Sequence, residues 1–144
     1  MEKSRADKTL GLTLIELLLV ISIIMILGTF SSVFYSNLLS RNAVSNTAEQ
    51  LVGQLRKAQI YTMEGKGNDS WGVRIEPSQI VLFAGSTSAF DEVFSVNQNI
   101  SVTGFTQVLF TKPSGMPDST PTITVSGNNN TETITVNSEG MISK

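Results

Sequence analysis

The sequence predicts an α+β chain, in which a long N-terminal helix, membrane-spanning in its first half, packs by its second half against a small antiparallel β-sheet head. Three observations predict it. Residues 12–30 form an apolar run with Glu16 as its one charge. A helical apolar period then persists from Val44 to Thr62. From Trp71 onward the period falls to two, and clusters of Gly, Pro and Asn interrupt it. At 144 residues there is room for one modest domain and one additional element.

Composition narrows the chemistry. There is no cysteine, so disulfides and thiolate metal sites are excluded. There is no histidine, which removes the usual general base and the commonest metal ligand. The chain is therefore expected to be no enzyme and to need no cofactor. Net charge is −2, and from residue 65 onward four basic residues (Lys66, Arg74, Lys112, Lys144) face seven acidic ones, which gives −3. Such a surface does not attract a phosphate backbone, and nucleic acid is not an expected partner.

Residues 1–11 are short and polar, with Lys3, Arg5 and Lys8 against Glu2 and Asp7. The nineteen residues of 12–30 follow. About twenty apolar residues at about 1.5 Å each cross the hydrocarbon core of a bilayer. Basic residues precede this run and none follows until Arg41, so the N-terminus is expected in the cytoplasm and the rest outside it. A secretory signal peptide would have a shorter apolar region and a better small-residue site than Ser31-Ser32-Val33. An ordinary anchor would fit the length but gives Glu16 no role.

A carboxylate in an apolar helix costs about 2.5–3.5 kcal/mol at the bilayer centre and demands a partner. Cleavage between Gly11 and Leu12 would create a positive amine four residues before Glu16. In a bundle of identical helices, that amine can lie beside the Glu16 of a neighbour and fix the stagger between subunits. The stretch Gly11-Leu12-Thr13-Leu14-Ile15-Glu16, continued by Leu17-Leu18-Leu19-Val20, resembles the processing signal of type IV prepilins and type II secretion pseudopilins. The resemblance implies that Gly11 ends a leader removed by prepilin peptidase, that Leu12 becomes the N-methylated terminus, and that Glu16 guides assembly. Leu12 stands where the family usually has phenylalanine. The implied partners are other pilin or pseudopilin subunits, the peptidase, an inner-membrane assembly platform and, before assembly, membrane lipid. The implied location is the bacterial inner membrane, with the C-terminal head outside the cytoplasm, and then a filament.

Residues 31–64 continue the helix. Val44, Ala48, Leu51, Val52, Leu55, Ala58 and Thr62 share one face, while Arg41, Ser45, Glu49, Gln50, Arg56 and Lys57 hold the other. No proline occurs before Pro77, and Gly65 and Gly67 are a stop signal. Many major pilins of the family carry a proline in this helix; here there is none, and Gly28 could still let it yield. In the head, 65–144, strands are expected at 71–76, 79–84, 92–96, 100–102, 107–111, 122–126, 132–136 and around Met141-Ile142, with breakers at 85–88, 97–99, 113–121 and 127–130. Pro77-Ser78 reads as a hairpin turn.

The order of a Trp-Gly-Val start at Trp71, an Ile-Val-Leu-Phe strand, Phe110 with Pro113-Ser114-Gly115, paired Thr-rich strands and a closing Glu139-Gly140-Met141-Ile142 is similar to the GspH/FimT family of minor pseudopilins and pilins. That resemblance implies a minor subunit that primes or joins a secretion pseudopilus or type IV pilus; a major filament subunit is the alternative within the class. Some FimT-like pilins capture DNA through an arginine-rich chain end, the alternative from another class. The corresponding residues 140–144 hold Lys144 and no arginine. Asn68, Asn99 and Asn129 match the glycosylation pattern but read as turn residues. Asp91-Glu92 and Asp69 with Asp118 lack the spacing of a calcium loop and are expected to be solvated. Trp71, at the start of a strand, is expected in the core.

Overall fold

The computed structural model describes residues 13–85 and 87–144, with the side chains of 29–34 and 87–89 outside that description. The fold is α+β with antiparallel sheets. Among the described residues, helix α1 (Leu14–Met63) is followed by a 3-10 turn (Lys66–Asn68) and nine strands: β1 (Trp71–Glu76), β2 (Gln79–Ala84), β3 (Thr87–Ser95), β4 (Ser101–Thr103), β5 (Gln107–Thr111), β6 (Met116–Pro117), β7 (Thr122–Gly127), β8 (Asn130–Val136) and β9 (Ile142–Ser143). The described residues fall into two compact units, one ending at Ser36 and the other running Asn37–Lys144. The second half of α1 thus belongs to the head.

In the first unit no proline interrupts the helix, and its leucines favour it against the weaker propensities of Ile, Val and Ser. Among the described residues, no helix is long and apolar enough to cross a membrane. The side chains described for the apolar run end at Gly28.

In the head, α1 stops where expected. Glu64 N–H still bonds Ile60 O, Gly65 N–H bonds Thr62 O, and Gly65 takes φ 68°, the left-handed closure that favours glycine. The strands form two sheets rather than the expected one, in the orders β3-β2-β1-β5-β6 and β4-β7-β8-β9. The chain leaves the first sheet after β3 to place β4 beside β7, and then returns as β5 beside β1. β1 and β2 pair from Trp71↔Ala84 to Glu76↔Gln79 around Pro77-Ser78, with Ser78 at φ 61°. Gly72 is forced by this packing: a Cβ there would lie 2.4 Å from Val108 O on β5 and 3.0 Å from the Phe83 ring.

Two expectations need correction in the sheets. β3 begins at Thr87, inside a segment read as a breaker, because a register shift between the partners of Leu82 and Ala84 absorbs the extra residues. β6 lies inside the proline-bounded linker and pairs Thr111↔Met116 and Phe110↔Pro117.

The core is one cluster. All seven stripe residues from Val44 to Thr62 are buried, with Thr47 beside them. They meet Trp71, Val73, Ile80, Leu82, Val108 and Phe110 from the first sheet, and Ile123, Val125, Ile134, Val136 and Ile142 from the second. Burial of each such Val, Leu, Ile or Phe side chain contributes about 1.5–3 kcal/mol. In β7 and β8 the apolar side chains alternate with threonines, so one sheet face is dry and the other polar.

Thr62 fastens the helix end to β1. Its hydroxyl donates to Ala58 O at 2.9 Å and accepts Trp71 N–H at 2.8 Å. At the other end of the packed face, the Ser40 hydroxyl donates to Gly127 O at the end of β7.

Candidate functional site

The site begins at the start of α1. Thr13 precedes the first helical residue and Glu16 lies three residues on, the Thr-x-x-Glu arrangement of a capping box. Glu16 N–H donates to Thr13 Oγ1 at 3.3 Å, while Thr13 N–H and its hydroxyl reach Glu16 Oε2 at 3.4 Å each. An N–H···O bond is usually about 2.9–3.0 Å, so these contacts hold the carboxylate loosely. Glu16 is exposed and keeps room for a stronger donor. The first turn also suits a negative charge, since the unpaired N–H groups of the helix end point toward it. The capping box was legible in the sequence as Thr13-x-x-Glu16, but the reading of Glu16 as an assembly acid passed over it. Gly11 and Leu12 lie outside the described residues.

Around Glu16 the helix is apolar on every side. All twelve large apolar side chains between Leu14 and Leu27 are exposed, from 41% at Ile21 to 78% at Leu14. The interruptions are Glu16 and Ser22, whose hydroxyl folds back onto Leu18 O at 2.8 Å. A soluble monomer rarely leaves so much contiguous apolar surface uncovered. A helix that is apolar all round is ordinarily covered, by other protein or by lipid.

The charged groups of the head are mostly engaged with each other. Asp91 and Glu92, expected as solvated acids, are ion-paired: Asp91 with Arg74 at 2.9 Å, and Glu92 with Lys57 at 2.6 Å. The hydrogen bond that Lys57 donates to the Glu92 carboxylate raises the Lys57 pKa above its ordinary value. Arg74 also meets Glu76 at 2.8 Å, so its guanidinium is held between two carboxylates. Asp69 accepts Ser70 N–H, and Asp118 accepts Leu109 N–H and the Ser119 hydroxyl. Among the described residues, no group of three or more acidic side chains comes together as metal ligands.

Lys144, the one cation of the chain end, pairs with Glu132 at 2.7 Å and Glu49 at 3.5 Å. The Glu132 carboxylate beside it is the main cause that raises its pKa. Trp71 is buried as expected. Its indole N–H donates to Lys66 O at 2.8 Å, and Tyr61 meets it edge-on with ring centroids 5.0 Å apart. Asn68 and Asn129 sit in turns at φ 56° and 67°. Asn99 N–H bonds the Asn97 side chain at 3.0 Å, which is turn chemistry again. No protein-family model, curated protein or solved structure matches the chain.

Proposed function

We propose that the chain is a non-enzymatic structural subunit of the type IV pilin and type II secretion pseudopilin class, a minor subunit in its GspH/FimT-like second half. It is inserted through the apolar helix, cut by prepilin peptidase between Gly11 and Leu12, methylated on Leu12, and drawn from the inner membrane into a filament. The observation that carries the reading is the start of α1: a single loosely held carboxylate amid an exposed, all-round apolar surface. In the membrane that surface is satisfied by lipid. In a filament it is satisfied by the same helix of other subunits, and head-to-tail contacts of that kind do not close into a ring.

Glu16 then has two successive partners. In the single subunit it caps its own helix through Thr13. In the assembly it meets the amine of a neighbouring Leu12, and a charge-assisted bond of that type is shorter and roughly twice as strong as a neutral one. Removing water from the bundle strengthens it further. The pair would select one stagger, because any other leaves two charges unpaired in an apolar surround.

Two substitutions separate capping from pairing. Glutamine fits the capping position as well as glutamate does, so Glu16→Gln keeps the helix start and removes the charge. Both Glu16→Gln and Glu16→Ala are expected to insert normally and to be absent from sheared filaments in a host that carries the assembly machinery. Normal incorporation of Glu16→Gln would show that the cap alone suffices and would remove the charge-pairing argument.

A further inference from the structure

Seven basic side chains fall among the described residues, and six of them have a partner. Lys57, Arg74 and Lys144 are ion-paired, Lys66 lies over the Tyr61 ring, Lys112 donates to Asn68 O and Arg56 to Ile142 O. The seventh is Arg41, which makes no ion pair or hydrogen bond among the described residues. It is exposed and lines a recess of about 360 Å³ together with Val44, Asn129, Asn130, Thr131 and Glu132. A close approach builds this recess. The Ser40 hydroxyl holds Gly127 O, and a Cβ on Gly127 would stand 3.2 Å from the Val44 side chain. Asn128 and Asn129, at φ 40° and 67°, then turn the chain back into β8.

The lining offers donors as well as charge. Asn129 and Thr131 are exposed, and neither the amide nor the hydroxyl makes a hydrogen bond among the described residues. Asn130 directs its amide to Asn128 O, which leaves that amide a second N–H. Glu132, the acid of the lining, is already paired with Lys144 at 2.7 Å, so the Arg41 charge stands uncompensated. Leu38, three residues before Arg41 and so beside it on the helix surface, is 49% exposed. A guanidinium backed by amide and hydroxyl donors matches a phosphate, and an adjoining apolar side chain matches an acyl chain. We propose that this recess takes the phosphate of an anionic phospholipid headgroup, with Arg41 supplying the charge and Leu38 an apolar contact. The inference rests on the membrane reading above. From residue 65 onward the net charge is −3, so the head has no general attraction for anions and selects through these contacts.

The test is a titration of the full chain, in micelles of a non-ionic detergent, with dimyristoyl phosphatidylglycerol. The Arg41 Nε–H and the Asn129 side-chain amide are followed by NMR. Both signals are expected to move together and to saturate, while dimyristoylglycerol and inorganic phosphate at the same concentration leave them in place. Arg41→Gln alters an exposed residue without a partner, so the fold is retained. It is expected to weaken phospholipid binding by about tenfold or more, the size of one lost charge-assisted bond. Lys112→Gln removes the same charge beside Asn68 and is expected to change nothing. Equal saturation by inorganic phosphate would overturn the lipid assignment, as would an equal response to dimyristoylglycerol. An equal loss in both glutamine variants would reduce the effect to net charge and overturn the site. Unchanged affinity in Arg41→Gln would overturn it too, and absence of that variant from sheared filaments would then give Arg41 to a carboxylate of a neighbouring subunit. The titration needs no processed terminus, so it can fail while the filament reading stands, and a subunit that is never cleaved leaves its outcome untouched.

Discussion

Leu18 and Leu51 lie in the same helix, yet one is 55% exposed and the other fully buried. Near Leu51 the apolar residues keep to one stripe, and the chain itself supplies two sheets to cover it. Near Leu18 they encircle the helix, and no single face of a protein can cover a cylinder. The first arrangement is solved within one chain. The second is left uncovered by the described residues. The difference is therefore one of both hydrophobic content and its arrangement around the helix.

Substitutions in the two regions sharpen that contrast. Leu51→Ala is expected to destabilise the head by about 2–5 kcal/mol in denaturant unfolding, from lost transfer energy plus a cavity. Leu18→Ala is expected to leave the same unfolding transition within about 0.5 kcal/mol, as surface changes do. A comparable loss from both would break the comparison. Gly72→Ala comes next: with a Cβ 2.4 Å from Val108 O, β1 and β5 must separate, and overpacking of this kind costs about 1–3 kcal/mol. Thr62→Val keeps the shape but leaves the buried Trp71 N–H without its acceptor, an expected loss of about 1–2 kcal/mol in the same assay.

The smallest effect is electrostatic. Lys57 is held above its ordinary pKa of 10.5 by the hydrogen bond to Glu92, so folding favours its charged form. The stabilisation is fully present below about pH 10.5 and is lost as pH rises through the higher folded value. Because the Lys57 and Glu92 side chains are 33% and 40% exposed, solvent screening keeps the effect below about 1 kcal/mol. Lys57→Met is expected to flatten that alkaline loss, measured as the pH dependence of the unfolding midpoint.

The helix stripe, the hairpin at Pro77-Ser78 and the threonine-alternating strands were legible because each is written in local periodicity. The division into two sheets was not. It depends on β4 finding β7 and β5 finding β1, pairings that no local pattern encodes. β6 was hidden because two paired residues leave no period, and Pro113 and Pro117 made the segment look like plain loop. The start of β3 was hidden by Gly85 and small polar residues, where a register shift rather than a turn resolves the geometry. At the site, the placement of Glu16 and the apolar run stood in the sequence. The loose capping contacts, and the pairing of Asp91 and Glu92 with cations far along the chain, needed the fold.

The central claim is that Glu16 awaits an amine that exists only after processing. Intact-mass measurement of the subunit from a peptidase-competent host tests it most directly. A chain beginning at Leu12 and carrying one added methyl group is the expected result; a chain still beginning at Met1 would contradict it.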